Sequence, residues 1–511
     1  MSAGSGMDAS LVGRWLRTGL LFVVTVFLGI YAIRRDDPAV YALLFIIPIA
    51  IGFLGRPAAL LVLTVAAEAA KLKIPGLPGN LDFHVVLRML MIVSTFFAAS
   101  LGGRTTPRKG GWPERALMLF LLNMVMIMMA RGFGMRIFGG TVYGGIRYVL
   151  LTVTVLFLFA SQRIRLGPRQ ASMLLWGTLA ASLIPFVVQV LIYLSDGRLF
   201  HLIRYVNVSV DYIEEAIVLD DVSKARWSEL GALSRLGVAV SLVFLFRRRF
   251  LSALVIVGAM IAAFSTGFRS HVLEIAGVSC LFYVIMSRDR VKAAASVVAM
   301  GLATLLVLIV ISPHLPPTFQ RAISFLPGVT VDAETADRAW QSVEGRLEIW
   351  RIAWREMHRY WLIGRGLTAE IAPYAWLRFN AYVTPEFMYL THAYHSGPLS
   401  ALVDFGASGA ALLAIFFIAA CREGWRGLQD VARYRSPILA RFHVFILASM
   451  IYRVFAFVFV FGTVPTDLAR MITYLVILRA IRRMSLEETP PSGSTPSRTP
   501  EYSVERRPLT A

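Results

Sequence analysis

The sequence predicts an all-α integral membrane protein with about fourteen transmembrane helices and one large, partly helical outer loop. Three observations predict it. Of the 511 residues, 57% are hydrophobic and only 16% charged, against roughly 25% charged for an ordinary soluble chain. The mean hydropathy is +0.66. The apolar residues come in blocks of about 15–24, long enough to cross a bilayer as helices. Most of these blocks lack the amphipathic period of a helix on a soluble core.

Fourteen blocks read as spans, near residues 18–33, 39–54, 58–70, 87–101, 116–130, 146–161, 171–194, 229–246, 251–266, 271–286, 293–312, 398–420, 438–461 and 464–481. Arg14 and Arg17 precede the first, and no small-residue cleavage site follows it, so it reads as an uncleaved span. The block at 58–70 is short and carries Glu68. With the N-terminus in the cytoplasm and strict alternation, the inside loops collect the arginines. They include Arg104, Arg108, Lys109 and Arg115, the groups at 163–169, 247–249 and 288–292, and Arg422 to Arg435. Arg479, Arg482 and Arg483 also fall inside, whereas Arg56 alone marks the first inside loop. The short outer loops carry no more than two basic residues each, often offset by acids, as in Arg34-Arg35-Asp36-Asp37. This is the positive-inside pattern for an even number of spans with both termini in the cytoplasm.

The organisation follows from that alternation. Residues 1–312 hold spans one to eleven, with a mixed-charge outer loop near 195–228; residues 313–397 form the large outer loop. Residues 398–484 hold the last three spans, and the Pro-, Ser- and Thr-rich segment 485–511 reads as a disordered cytoplasmic tail. The net charge of +20 does not point to nucleic acid, because the basic residues sit at block ends rather than in one patch. The two cysteines, Cys280 and Cys421, lie in or at the end of apolar blocks and support neither a structural disulfide nor a cysteine metal site.

The outer segment 313–397 holds eight Arg, eight Asp or Glu and five of the ten Trp. Loops of that length are commonly functional. Within it, Gly345 to Trp361 reads as an amphipathic helix that ends at Gly364, with Gly366 close behind. Trp350, Trp354, Met357 and Trp361 recur at helical spacing, with Arg346 one turn ahead of Trp350. Arg351, Arg355 and Arg359 form a second, basic stripe. Such a helix can lie on the bilayer with its aromatics down, or it can carry a site.

Thr391-His392-Ala393-Tyr394-His395-Ser396-Gly397-Pro398-Leu399 leads into the next span. A histidine at a membrane rim can accept a proton near neutral pH. His392 and His395 are also spaced for a metal site, but no third and fourth ligand of fixed spacing accompanies them. A hydrogen-bonded structural histidine is the plain alternative for either. Arg269 sits in the very short outer turn Ser265-Thr266-Gly267-Phe268-Arg269-Ser270. It either snorkels to headgroups or faces a cavity, where its planar fork suits phosphate oxygens. The alternation puts Arg269, Arg346 and His395 on one outer face from three separate stretches. Glu68, Arg235, Glu274, Asp404 and Arg453 fall inside apolar blocks, where they need one another, or water along a transport path.

Taken together, these stretches resemble the O-antigen ligase and O-antigen polymerase superfamily of bacterial envelope glycosyltransferases. The similarity covers roughly residues 229–420. Its pieces are Thr266-Gly267-Phe268-Arg269, then Arg346 and Trp350 leading to Gly364 and Gly366, then His395 to Leu399 followed by Gly406-Ala407-Ser408-Gly409. Ser396 stands where the family usually has Asn. The resemblance implies a GT-C-like fold in the bacterial inner membrane, with a periplasmic loop closing over a periplasmic active site. It implies a glycan donor on undecaprenyl diphosphate and an acceptor hydroxyl on a glycan or on lipid A core, with neither metal nor other cofactor. Membrane lipid and other polysaccharide assembly proteins are the remaining expected partners. His395 would be catalytic, Arg269 and Arg346 would bind the diphosphate, and Trp350 and His392 would join them in substrate binding. Fourteen spans and the long outer segment favour a polymerase over a ligase. A flippase or other transporter would instead carry its polar residues near midplane on broken helices, often with repeat symmetry. An assembly protein would leave Arg269, Arg346 and His395 pointing in unrelated directions.

Overall fold

A computed structural model describes residues 52–53, 56–74, 82–100, 110–134, 144–162, 164–195, 198–208, 227–368, 384–431, 434 and 436–487. The first expected span, nearly all of the second, much of the 195–228 loop and the tail from 488 lie outside these residues. Among the described residues the chain is helical, apart from isolated bridges pairing Leu72 with Val206 and Lys73 with Asp82.

The helices in chain order are α1 (Pro57–Ala69), α2 (Phe83–Ser100), α3 (Trp112–Arg131), α4 (Gly145–Ser161), α5 (Pro168–Ala181), α6 (Ile184–Leu194), α7 (Leu230–Val240) and α8 (Arg249–Ser265). Then come α9 (Arg269–Met286), α10 (Arg290–Ile311), α11 (Pro317–Ile323), α12 (Ala333–Glu356), α13 (Pro385–Leu390), α14 (Gly397–Val431), α15 (Pro437–Phe459) and α16 (Val464–Glu487). Proline opens several of them, α1, α3, α5 and α15 included, where its missing N–H would have had no partner. Asp289, Asp332 and Ser436 cap α10, α12 and α15 through their side chains.

Each of the twelve expected spans that fall among the described residues lies on helix. Six helical stretches are long and apolar enough to cross a membrane: α3, α5 with α6, α9, α10 continued to His314, α14 and α15. Five shorter ones are apolar as well: α1, α2 up to Phe96, α4, α7 continued to Leu245, and α8. α16 is the buried centre, with Leu468, Met471, Ile472 and Leu475 wholly covered. α10 is the opposite case. Only Ala293 of its 22 residues is buried, and Val298, Leu302, Leu306 and Val310 are exposed along it. A continuous apolar surface of this kind is a liability in water and ordinary in lipid.

The helix ends gather at two opposite ends of the bundle. At one, Arg131 closing α3 donates to the Gly364 and Arg359 carbonyls, and Arg147 in the first turn of α4 donates to Thr391. There too, the first N–H of α16, Val464, meets the Ser400 hydroxyl of α14. At the other end, Arg479 of α16 reaches Glu114 in the first turn of α3, and Arg290 lies 5.0 Å over the Trp425 ring of α14.

The charges inside apolar blocks are paired within the bundle. Glu68 accepts from Arg88 at 2.8 Å, Arg235 faces Glu274 at 3.5 Å, and Asp404 meets His392 at 2.8 Å. Arg453 pairs with Asp467. Pairing of this kind is what offsets burial of each ion.

The helix expected over Gly345–Trp361 begins twelve residues earlier, at Ala333, and closes at Glu356. Asp332 starts it, its carboxylate accepting the Thr335 N–H at 2.8 Å. A single 3₁₀ turn, Met357–Arg359, ends it ahead of Gly364. The buried stripe is also offset from the tryptophans. Ile349, Ala353 and Met357 pack against Tyr389, Tyr394, Leu399 and Val403, whereas Trp354 and Trp361 remain 69% and 51% exposed. Methyl and thioether groups fit the close contact with the neighbouring loop, and the wider indoles are left on its rim.

Candidate active site

Three segments meet at the end of the bundle that carries Gly364, and local chemistry shapes each. Between α8 and α9 the chain reverses in three residues. The buried Thr266 hydroxyl donates to the Ala263 carbonyl and accepts the Phe268 N–H at 3.1 Å, which satisfies groups a helix end leaves orphaned. Gly267 then takes the left-handed conformation, φ +67°. The next helix can therefore open at Arg269, whose Nη2 donates to Ser324 Oγ at 3.0 Å. Its guanidinium lies 5.9 Å from the Phe325 ring.

The second segment is α12. Trp350 is held by its indole N–H, which donates to the Tyr394 carbonyl at 2.8 Å. One turn earlier, Arg346 is partly buried and finds no carboxylate among the described residues. It lies close enough to Arg269 for their charges to repel. It acts on His395 as well. Two arginines this close, neither balanced by an acid among the described residues, form a local positive field, the condition under which an anion is bound.

The third segment runs from the short α13 to the first turn of α14. His392 and His395 both take positive φ, +67° and +54°, a conformation uncommon outside glycine, in which histidine is among the better-tolerated side chains. His392 is the left-handed residue that closes α13, and Ala393 N bonds back to the Met388 carbonyl at 2.9 Å. Its ring turns inward. Nδ1 lies 2.8 Å from Asp404 Oδ1, and Arg365 Nη2 is 3.1 Å from both ring nitrogens. A carboxylate only accepts, so Nδ1 carries the proton and the bare Nε2 accepts from Arg365. Burial holds His392 below the ordinary histidine range despite the Asp404 charge. Tyr394 also turns inward, wholly buried, with its hydroxyl donating to the same Asp404 oxygen at 2.8 Å. Gly397 packs where no side chain fits, against the Phe457 carbonyl and ring.

These anchors on either side leave His395 turned the other way. It is half-buried, with its ring 5.3 Å from that of Phe461. Burial first, and then the Arg346 charge, hold its imidazole below the ordinary histidine range. A neutral imidazole beside a cation is a competent proton acceptor. Arg346 thus lies within electrostatic reach of both Arg269 and His395. His392 is not with them; it belongs to the buried network behind the loop. Among the described residues no three His, Cys, Asp or Glu side chains converge as a metal would require.

That network contains residues whose part the sequence did not reveal. Arg365 donates to the Tyr389 and Leu390 carbonyls as well as to His392, and its guanidinium stacks 4.5 Å over the Tyr389 ring. Its neighbours Gly364 and Gly366, φ +79° and +84°, allow the chain to lie directly on α14. A Cβ on Gly364 would stand 2.5 Å from the Asp404 carbonyl oxygen. α14 is broken there, at Gly406, φ 69° and ψ 179°. The freed carbonyls of Val403, Asp404 and Phe405 accept from Arg365 N, Gly366 N and the Asn123 amide. Non-helical backbone inside an apolar helix is tolerated where its freed groups find partners, as these three carbonyls do. The pattern Gly364-Arg365-Gly366 was the available signal, and it read as a helix stop and a piece of the family resemblance, with no part assigned to Arg365. Arg365→Ala should leave His392 and the Tyr389 and Leu390 carbonyls without their shared charged donor, at a cost of about 1–3 kcal/mol. A lowered melting temperature and a lower protein level would show it.

An open groove of about 600 Å³ runs alongside, between α12 and the start of α14. Trp350, Trp354, Arg351, Arg355, Ser396 and Leu399 line it. The O-antigen ligase family model matches residues 252–414, a stretch that contains Arg269, Arg346, Trp350 and His395. No curated protein matches the chain.

Proposed function

We propose that this chain, whose residues 252–414 match the O-antigen ligase family model, is a member of the O-antigen ligase and polymerase superfamily that polymerises a glycan delivered on a polyprenyl diphosphate. The observation that carries this reading is the pair Arg269 and Arg346 beside a neutral His395, at one end of a helical bundle. Transfer breaks the bond between the anomeric carbon and the diphosphate and forms one to an acceptor sugar oxygen. His395 takes the proton from that hydroxyl as the oxygen attacks. The charge that develops on the departing diphosphate falls between the two guanidiniums, which are already in place and need no reorganisation. Trp350 and Trp354 offer flat apolar faces to sugar rings along the groove, and Arg351 and Arg355 offer donors to their hydroxyls. A polyprenyl tail accounts for building a sugar-handling site into a membrane protein. The reading includes a GT-C-like arrangement of about fourteen spans, the inner membrane, and a site on the periplasmic side. The arginine-rich opposite end supports that orientation.

The ligase reading rests on the description of the matched family itself. Deletion of the chain separates the two: single repeat units on carrier or lipid are expected for a polymerase, and long unattached polymer would establish a ligase. The depressed His395 imidazole adds a pH test. The active form is neutral, so the transfer rate of the purified protein should stay level through neutral pH. It should fall on acidification only below the ordinary histidine range. Replacing Arg346 by Gln removes one depressing charge and should move that fall towards neutrality in whatever activity remains.

A further inference from the structure

At the end of the bundle remote from His395, a cavity of about 640 Å³ opens between the first turn of α3, the far part of α14 and the last turns of α16. α14 connects the two ends, since Arg422 lies 25 residues beyond Gly397, roughly 40 Å along the helix. Arg422, Arg426, Arg479, Arg482 and Arg483 line the cavity, with Glu114 and Glu423. Most of these are accounted for. Arg479 is neutralised by Glu114 and Glu423, and Arg482 by Asp430 at 2.7 Å. Arg483 donates to carbonyls at the end of α4, those of Ser161 and Ile164 among them.

Arg422 and Arg426 are not. Both are exposed, one helical turn apart on the same face, and neither has a carboxylate or acceptor among the described residues. Like charges at this spacing repel, so two such arginines are mildly destabilising without an anion. The cavity is also bounded by hydrocarbon. Ile415 and Ile418, one to two turns up α14 from Arg422, are 44% and 68% exposed. Trp112 and Trp425, both exposed, stand at the level of the arginines, each beneath a guanidinium, Arg115 and Arg290 respectively. Tryptophan at this level is an anchor of the membrane–water boundary. A free anion would use the cations and leave the apolar wall idle, whereas a lipid uses both.

We propose that this cavity binds the headgroup of an anionic phospholipid, with its phosphate on Arg422 and Arg426 and its acyl chains along Ile415 and Ile418. The site lies at the end that the arginine distribution gives to the cytoplasm, where basic pockets between helices meet anionic lipid. It is independent of the transferase reading. By linkage, occupancy should stabilise the whole bundle, because α3, α14 and α16 all contribute to it.

The test uses the full chain purified in detergent and offered phosphatidylglycerol, phosphatidylcholine or inorganic phosphate. Native mass spectrometry counts retained lipid, and thermal melting reads stability. Phosphatidylglycerol should be retained and should raise the melting temperature, and the other two should do neither. The pair Arg422→Gln and Arg426→Gln should bind it about thirtyfold more weakly. The exposed pair Arg247→Gln and Arg248→Gln should bind as the wild type. Should the first pair fail to melt cooperatively, Arg422→Gln alone, expected to lose about fivefold, repeats the test. Wild-type retention by a folded variant overturns the proposal. So does equal stabilisation by phosphatidylcholine, which would mean an apolar surface only, or by phosphate, which would mean an anion site only.

Discussion

His395→Ala is expected to abolish glycan transfer while the protein accumulates in the membrane at its normal level. Removing a positioned general base typically costs about 10²–10⁴ in rate. The surroundings of His395 make the substitution clean. Its ring packs on Phe461, no described residue relies on it for a hydrogen bond, and the loop is held by Tyr394 and Gly397 instead. The left-handed backbone at His395, φ +54°, suits histidine better than alanine, so His395→Asn, which tolerates that conformation, is the companion variant. The contrast with His392 is useful. His392→Ala removes a partner from Asp404 and Arg365, so it should lower stability and protein level together with activity. Surface polysaccharide measured beside membrane protein level distinguishes the two. Normal polymer from the His395 variant would remove His395 from the mechanism.

Arg346→Ala should cost about 10²–10³ in turnover, the usual consequence of deleting one preorganised donor at a developing charge. Arg346 makes no ion pair among the described residues, and its departure relieves the repulsion with Arg269, so melting temperature should hold or rise. Loss of activity without loss of stability is the signature of a group kept for its ligand. Arg346→Lys retains the charge but not the planar fork and should recover only part of the rate. Arg269→Ala should fall in the same range, with a small further effect from the lost bond to Ser324. If turnover is unchanged in the Arg346 variant, the leaving-group role is wrong.

Much of this was legible from the chain because the bilayer imposes a coarse grammar. Blocks such as 293–312 and 438–461 have to be helices, and arginines at alternate block ends mark one side. The short turn at Arg269 and the stripe containing Arg346 and Trp350 could be placed at one rim on that basis. What could not be read was direction. His392 and His395 look equivalent at a spacing of three, but two left-handed residues aim one at Asp404 and the other away. Local sequence carries no sign of that, since it depends on Asp404 arriving from the next helix. Gly364 and Gly366 read as punctuation, but they are the point where one backbone rests on the break in α14 at Gly406. The early start of α12 was hidden because its first turns are polar and lack an apolar stripe, so only the Asp332 cap marked them.

The most direct measurement reconstitutes the full chain in vesicles with a polyprenyl-diphosphate-linked glycan and an acceptor glycan. Released polyprenyl diphosphate and joined glycan are then counted together. The wild type should produce the two in equal amounts, and the Arg346→Ala and His395→Ala variants, equally stable, should produce neither above background. Transfer at the wild-type rate by either variant, or joined glycan without release of the carrier diphosphate, would contradict the account.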